Sequence, residues 1–129
     1  MIALLALSSL MITQDIAPDR ITYDQMVDCA ATFRVAAAVA DMDGERDLVE
    51  PALAGAVGYV HLAYLYGEPL GETREATDAA VEAEVSDQIA RYGPALDGPA
   101  PQLARQVMST DQQVCQTVLM RLVRETGEE

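Results

Sequence analysis

The 129-residue chain has no lysine, no tryptophan, one phenylalanine and one histidine. Without lysine there is no P-loop, no Schiff-base chemistry and no lysine general base. Aromatic residues make up only 5%, whereas alanine occurs 21 times, so the core must be built from Ala, Leu and Val. Alanine is the best helix former and is depleted in strands, which favours closely packed helices over a sheet. Basic charge is equally scarce. Eight arginines face 21 carboxylates, for a net charge of −13. So acidic a chain repels nucleic-acid phosphates and anionic membrane surfaces, which excludes nucleic acid as a partner and stable membrane insertion of the mature chain. A protein partner stays open, and its identity is not encoded in any motif. The motifs G-x-S-x-G, H-E-x-x-H and G-x-G-x-x-G are all missing. A non-catalytic protein without a cofactor is therefore expected.

Residues 2–12 form an apolar run broken only by Ser8 and Ser9. The run is shorter than the roughly 20 residues a bilayer span needs. Its length suits a signal-peptide core, yet no Lys or Arg precedes it and no clean A-x-A site follows. Residues 1–14 therefore read either as a secretory signal or as an N-terminal apolar helix, with residues 15–129 as one helical domain. The cysteines, Cys29 and Cys115, belong to no Cys-x-x-Cys or Cys/His cluster, so thiol redox, c-type haem and zinc chemistry are not implied. In an exported protein, periplasmic or extracellular, the even count reads as a disulfide. The alternative is a pair of buried thiols in a cytosolic bundle.

The periodicity predicts an all-α bundle of four long helices plus a short one. The first covers residues 23–42, capped by Thr22 with Gln25, and buries Met26, Cys29, Ala30, Phe33, Ala37 and Ala40. The second covers residues 48–66, with Leu53, Ala56, Val57, Val60 and Tyr64 as its seam. Either Asp47 caps it in a box with Glu50, or Glu50 caps it ahead of Pro51. Between Ala52 and Tyr66 it has no Asp, Glu, Arg, Ser or Thr. A helix apolar all round is usually buried, so it is expected at the centre of the bundle. The third covers residues 74–92, capped by Thr73, with Val81, Val85, Ile89 and Tyr92 inward and Gly93-Pro94 as its stop. A short helix at residues 102–108 is followed by the last helix. That helix starts at Thr110 behind a Ser109/Gln112 box and buries Val114, Cys115, Val118, Leu119 and Leu122. On these boundaries, antiparallel first and last helices would leave the cysteines about 11 Å apart in height. A disulfide tolerates about 7 Å between Cα atoms, so either the two helices slide past each other or the last helix runs parallel to the first, and the parallel arrangement is expected.

Three groups are candidate sites. Asp41, Asp43, Glu45, Asp47 and Glu50 form the densest carboxylate cluster, the one loop able to offer several oxygens to a hard cation. Glu45, Asp47 and Glu50 suit the positive end of the helix that follows. Asp41 and Asp43 oppose the macrodipole at the C-terminus of the helix that precedes them. Position six counted from Asp41 is Arg46 and position twelve is Ala52, so the loop is not an EF-hand. His61 lacks a Ser or Cys partner for a triad, and Gly58 three residues earlier denies it a Glu-x-x-His motif. It reads as a buried or interfacial histidine. Tyr59 and Tyr66, seven apart on one face, would mark a contact surface if exposed. Small residues (Ala52, Gly55, Ala56 and Gly58 on the second helix; Ala30, Ala36, Ala37 and Ala40 on the first) imply close helix packing. Three functions fit: a small exported binding or scaffolding protein, an acid-responsive periplasmic chaperone, or a cation-binding module at residues 41–50. For the chaperone, protonating the carboxylates near pH 4 would turn −13 into about +9, from eight Arg and His61.

Overall fold

The computed structural model describes the backbone of residues 2–127 and the side chains of residues 20–125. It contains helices α1 (Ile2–Met42), α2 (Val49–Gly67), α3 (Arg74–Leu96) and α4 (Pro101–Gly127), with 3₁₀ turns at Arg46–Leu48 and Glu68–Leu70. The all-α bundle is as the sequence predicts. The side-chain surroundings of the apolar run at residues 2–12 lie outside the described residues.

Four element boundaries differ from expectation. The Thr22/Gln25 box caps nothing, because the helix passes through it from residues upstream. At the start of α2 neither Asp47 nor Glu50 is the cap. Leu48 holds that position at the end of the 3₁₀ turn and makes no side-chain cap bond. Helix α3 runs three residues past Gly93 to Leu96. Pro94 removes only one amide donor there, and Asp97 N–H reaches the Gly93 carbonyl at 3.1 Å to close the last turn. The short helix and the last helix are one element, with Pro101 at its first position, where the missing N–H is harmless. Thr110 does not interrupt it, because its hydroxyl donates back to the Gln106 carbonyl at 3.0 Å. Two ends match the sequence. Gly44 at φ 75° closes α1, with Glu45 N–H on the Ala40 carbonyl at 2.9 Å. The Thr73 hydroxyl accepts from Ala76 N–H at 3.0 Å to start α3.

The central helix is α1. Cys29, Ala30, Ala31, Thr32 and Phe33 are buried in succession, which is possible only if neighbours cover that helix on several sides. Its expected inward residues (Met26, Cys29, Ala30, Phe33, Ala37, Ala40) are all buried. The expectation that α2 is central is not met: it buries Ala56, Tyr59, Ala63 and Gly67 and leaves Leu53, Val57 and Leu65 exposed. Absence of charge permits burial without requiring it. The side of α2 that docks is set by shape. A Cβ added at Gly55 would lie 2.8 Å from the Phe33 ring, and one at Gly67 would lie 2.7 Å from the Tyr23 ring. These two glycines seat the large aromatics of α1.

The same contacts give the directions. Gly55 meets Phe33 while Gly67 meets Tyr23, so α2 is antiparallel to α1. Tyr23 bonds Thr77 at 3.0 Å and Gln88 donates to Thr32 at 3.1 Å, so α3 runs with α1. Arg105 holds Asp43 at the end of α1, and Cys115 pairs with Cys29 farther down, so α4 is antiparallel to α1. The expected parallel arrangement is therefore wrong, and the bundle is a simple up-down-up-down one. The error follows from the helix boundary. With α4 beginning at Pro101, Cys115 stands about 21 Å from that end of the bundle and Cys29 about 20 Å from Met42. The two cysteines are thus level, with Cα atoms 5.7 Å apart. Around them the core gathers Met26, Phe33, Tyr59, Val81, Val118 and Leu122. Ile89 and Val114, both expected inward, are exposed.

Candidate interaction surface

The outward face of α2 follows from its spacing. At 100° per residue, Ala54, Val57, His61 and Leu65 fall on one line, with Leu53 and Gly58 beside it. Leu53, Val57 and Leu65 are 46%, 56% and 61% exposed, and Ala54, Gly58 and His61 are exposed as well. No charged residue interrupts this stripe. Between it and the adjoining helix lies an open, apolar groove of about 490 Å³, floored by Leu53, Val57 and Val60 and edged by Arg34, His61 and Tyr64. His61 stands edge-on to Tyr64 with ring centroids 5.8 Å apart, and the Arg74 guanidinium lies 5.1 Å from the Tyr64 ring. So His61 is exposed, which removes the buried reading but not the interfacial one. Other large apolar side chains (Leu103, Val107, Val114) share an exposed line of α4, but Thr110 lies on that line and Arg121 ends it. By length and mean hydropathy (1.3), Arg46–Leu70 is the one segment among the described residues that could cross a bilayer. One side of it packs on α1 through Ala56, Tyr59, Ala63 and Gly67.

Charge is confined to the margins of the stripe. Glu50 in the first turn of α2 and Glu68 just past its last residue lie on the line of Val57 and His61, one at each end, and both are exposed. Along the flank, Asp78 accepts from the Tyr64 hydroxyl and Glu82 pairs with Arg34. Glu72 pairs with Arg20 at 3.1 Å. Among the described residues, Glu50 and Glu68 enter no ion pair.

The tyrosines expected to form a contact surface do not form one. Tyr59 is 3% exposed and packs against Phe33 at 5.2 Å, while Tyr66 is half-buried against the core. The exposed apolar face lies on the other side of α2. In the acidic turn, Asp43 is committed to Arg105 through two hydrogen bonds of 2.9 and 3.0 Å. Its violation of the helix-dipole rule thus has a local partner, 62 residues away in sequence. Asp41, Glu45, Asp47 and Glu50 are exposed and spread along the turn. Among the described residues no three His, Cys, Asp or Glu side chains converge in a way that could hold a metal ion.

A second polar feature was not singled out from the sequence. Beside the disulfide, a cleft of about 250 Å³ between α1, α3 and α4 is lined by Gln25, Asp28, Glu84, Gln88, Tyr92 and Asp111. Gln88 is buried and donates to Thr32 and, at 3.4 Å, to the Asp28 carbonyl. Burial of the Asp28 carboxyl raises its pKa to about 6, with Glu84 and Asp24 adding repulsion and Arg91 opposing them. Burial raises Tyr92 to about 12, supported by its hydrogen bond to Asp111. The available signal was Gln88, a polar residue at helical spacing from Val81 and Val85 on the inward face of α3. Comparison with protein-family models, with curated proteins and with solved structures returns no significant match.

Proposed function

We propose that this chain is a small acidic exported protein with a non-catalytic binding or scaffolding role, and that the outward face of α2 is its contact surface. The observation that carries the reading is the uncharged stripe of Leu53, Val57 and Leu65, exposed on a body of net charge −13. Contiguous apolar surface of this kind, rimmed by polar residues, marks sites where proteins meet partners. Export is supported by the signal-like run at residues 2–12 and by the pairing of Cys29 with Cys115, since structural disulfides persist in oxidising compartments. Photo-crosslinking in the native cells tests the contact surface. A benzophenone amino acid at position 57 is expected to give discrete adducts that one at position 87, on an exposed acidic part of α3, does not. Equal adduct patterns from the two positions would refute the assignment.

A further inference from the structure

We infer that the occupant of the α2 face is an amphipathic helix carrying a basic residue near each end of its apolar stripe. The inference rests on the contact surface proposed above and adds the chemistry of the partner. Glu50 and Glu68 bracket the stripe. They stand 18 positions apart along α2 and the turn that follows it, which is about 27 Å at helical rise. Neither enters an ion pair among the described residues, whereas Glu72 and Glu82 are paired with arginines and Asp78 takes the Tyr64 hydroxyl. A complementary segment therefore has about five turns of apolar side chains on one face, with Arg or Lys about 18 positions apart.

The same two carboxylates discriminate against other occupants. If a second copy docked antiparallel through this face, Glu50 of each chain would meet Glu68 of the other. In a parallel pair Glu50 would meet Glu50 and Glu68 would meet Glu68. Either orientation opposes like charges on two bodies that each carry −13. An anionic bilayer surface meets the same repulsion. The groove beside the stripe, between Arg34 and Leu53, Val57 and Val60, gives the partner's larger side chains a place to insert.

The test uses the full chain and two synthetic helical peptides with the same leucine stripe, one with Arg at both ends and one with Glu. Two exposed ion pairs make the Arg-ended peptide bind about tenfold more tightly. Its affinity should fall as salt rises from 0.05 to 0.5 M. The Glu50→Gln/Glu68→Gln double variant should lose most of that ratio, while Val57→Asp and, separately, Leu65→Asp should lose binding with unchanged circular dichroism. Equal binding of the two peptides would overturn the charge selection and leave the contact surface standing. Binding of neither peptide would overturn the inference, with the crosslinking experiment deciding the surface independently. Dimerisation by sedimentation that Val57→Asp abolishes, or binding to phosphatidylcholine vesicles, would assign another occupant and also overturn it.

Discussion

Two glycines three residues apart on α2 are expected to respond to the same substitution with opposite signs. A methyl group at Gly58 meets no heavy atom within 4 Å, since that position faces outward. Gly58→Ala therefore gains only the helix preference of alanine, about 0.8–1.0 kcal/mol. At Gly55 the added Cβ would stand 2.8 Å from Phe33 Cδ1 and 3.2 Å from Cε1. Phe33 is buried and held against Tyr59, so its ring has little room to turn. Overpacking of this kind costs about 1–3 kcal/mol, which outweighs the propensity gain and leaves Gly55→Ala about 1 kcal/mol less stable than the parent. The two variants should differ by about 2 kcal/mol in urea unfolding with equal m-values. In a chain of this length that is roughly 6–8 °C in Tm. Equal stabilisation by both substitutions would refute the docking of α2 on α1 through Gly55, and with it the outward assignment of Leu53, Val57 and Leu65.

Further predictions concern the core and the polar cleft. The Tyr59 hydroxyl is buried without a hydrogen-bond partner among the described residues, so Tyr59→Phe should raise stability by about 1 kcal/mol in the same urea assay. The Cys29–Cys115 bond closes an 86-residue loop, and Cys29→Ala/Cys115→Ala should lose about 4–5 kcal/mol by the chain-entropy relation. A loss below about 1 kcal/mol would mean that the bond contributes little to restricting the unfolded chain. At Asp28 the folded state raises the carboxyl pKa from 3.8 to about 6, so ionisation opposes folding above pH 6 and not below about pH 4. This group therefore adds stability as the pH falls from 7 to 4. Discounted for its exposure, the gain is about 1 kcal/mol. Asp28→Asn should show that gain already at pH 7 and lose its advantage by pH 4, as read from urea midpoints at the two pH values. The sign runs against acid-triggered opening at this cleft over that window.

The legible parts of the fold were those with strong local marks. On α1, apolar residues at helical spacing identified Met26, Cys29, Ala30, Phe33, Ala37 and Ala40 correctly, but not Ala31 and Val35, which are buried because neighbours cover that helix on several sides. The hydroxyl of Thr73 and the glycine at 44 marked true ends, since each supplies a bond or a backbone angle that an end requires. Ser109 and Thr110 looked the same in sequence, but Thr110 bonds back into its own helix, so a false start displaced Cys115 along the axis and reversed the inferred direction of α4. The face of α2 was illegible for a different reason. Polar residues ordinarily reveal which side of a helix is solvated, and between Ala52 and Tyr66 there is no charge to do so. Aromatic rings from α1 settled on the positions without side chains, and that turned Leu53 and Val57 outward. Tertiary partners likewise explain the acidic turn, where Arg105 neutralises Asp43 from a distant part of the chain.

Hydroxyl-radical footprinting of the purified protein bears most directly on the exposed α2 face. Leu53, Val57 and Leu65 should be oxidised at rates near those of the urea-unfolded chain, while Met26 and Tyr59 stay protected. Protection of Leu53, Val57 and Leu65 to the same degree as Tyr59 would place α2 inside the bundle and remove the contact surface on which the functional reading depends.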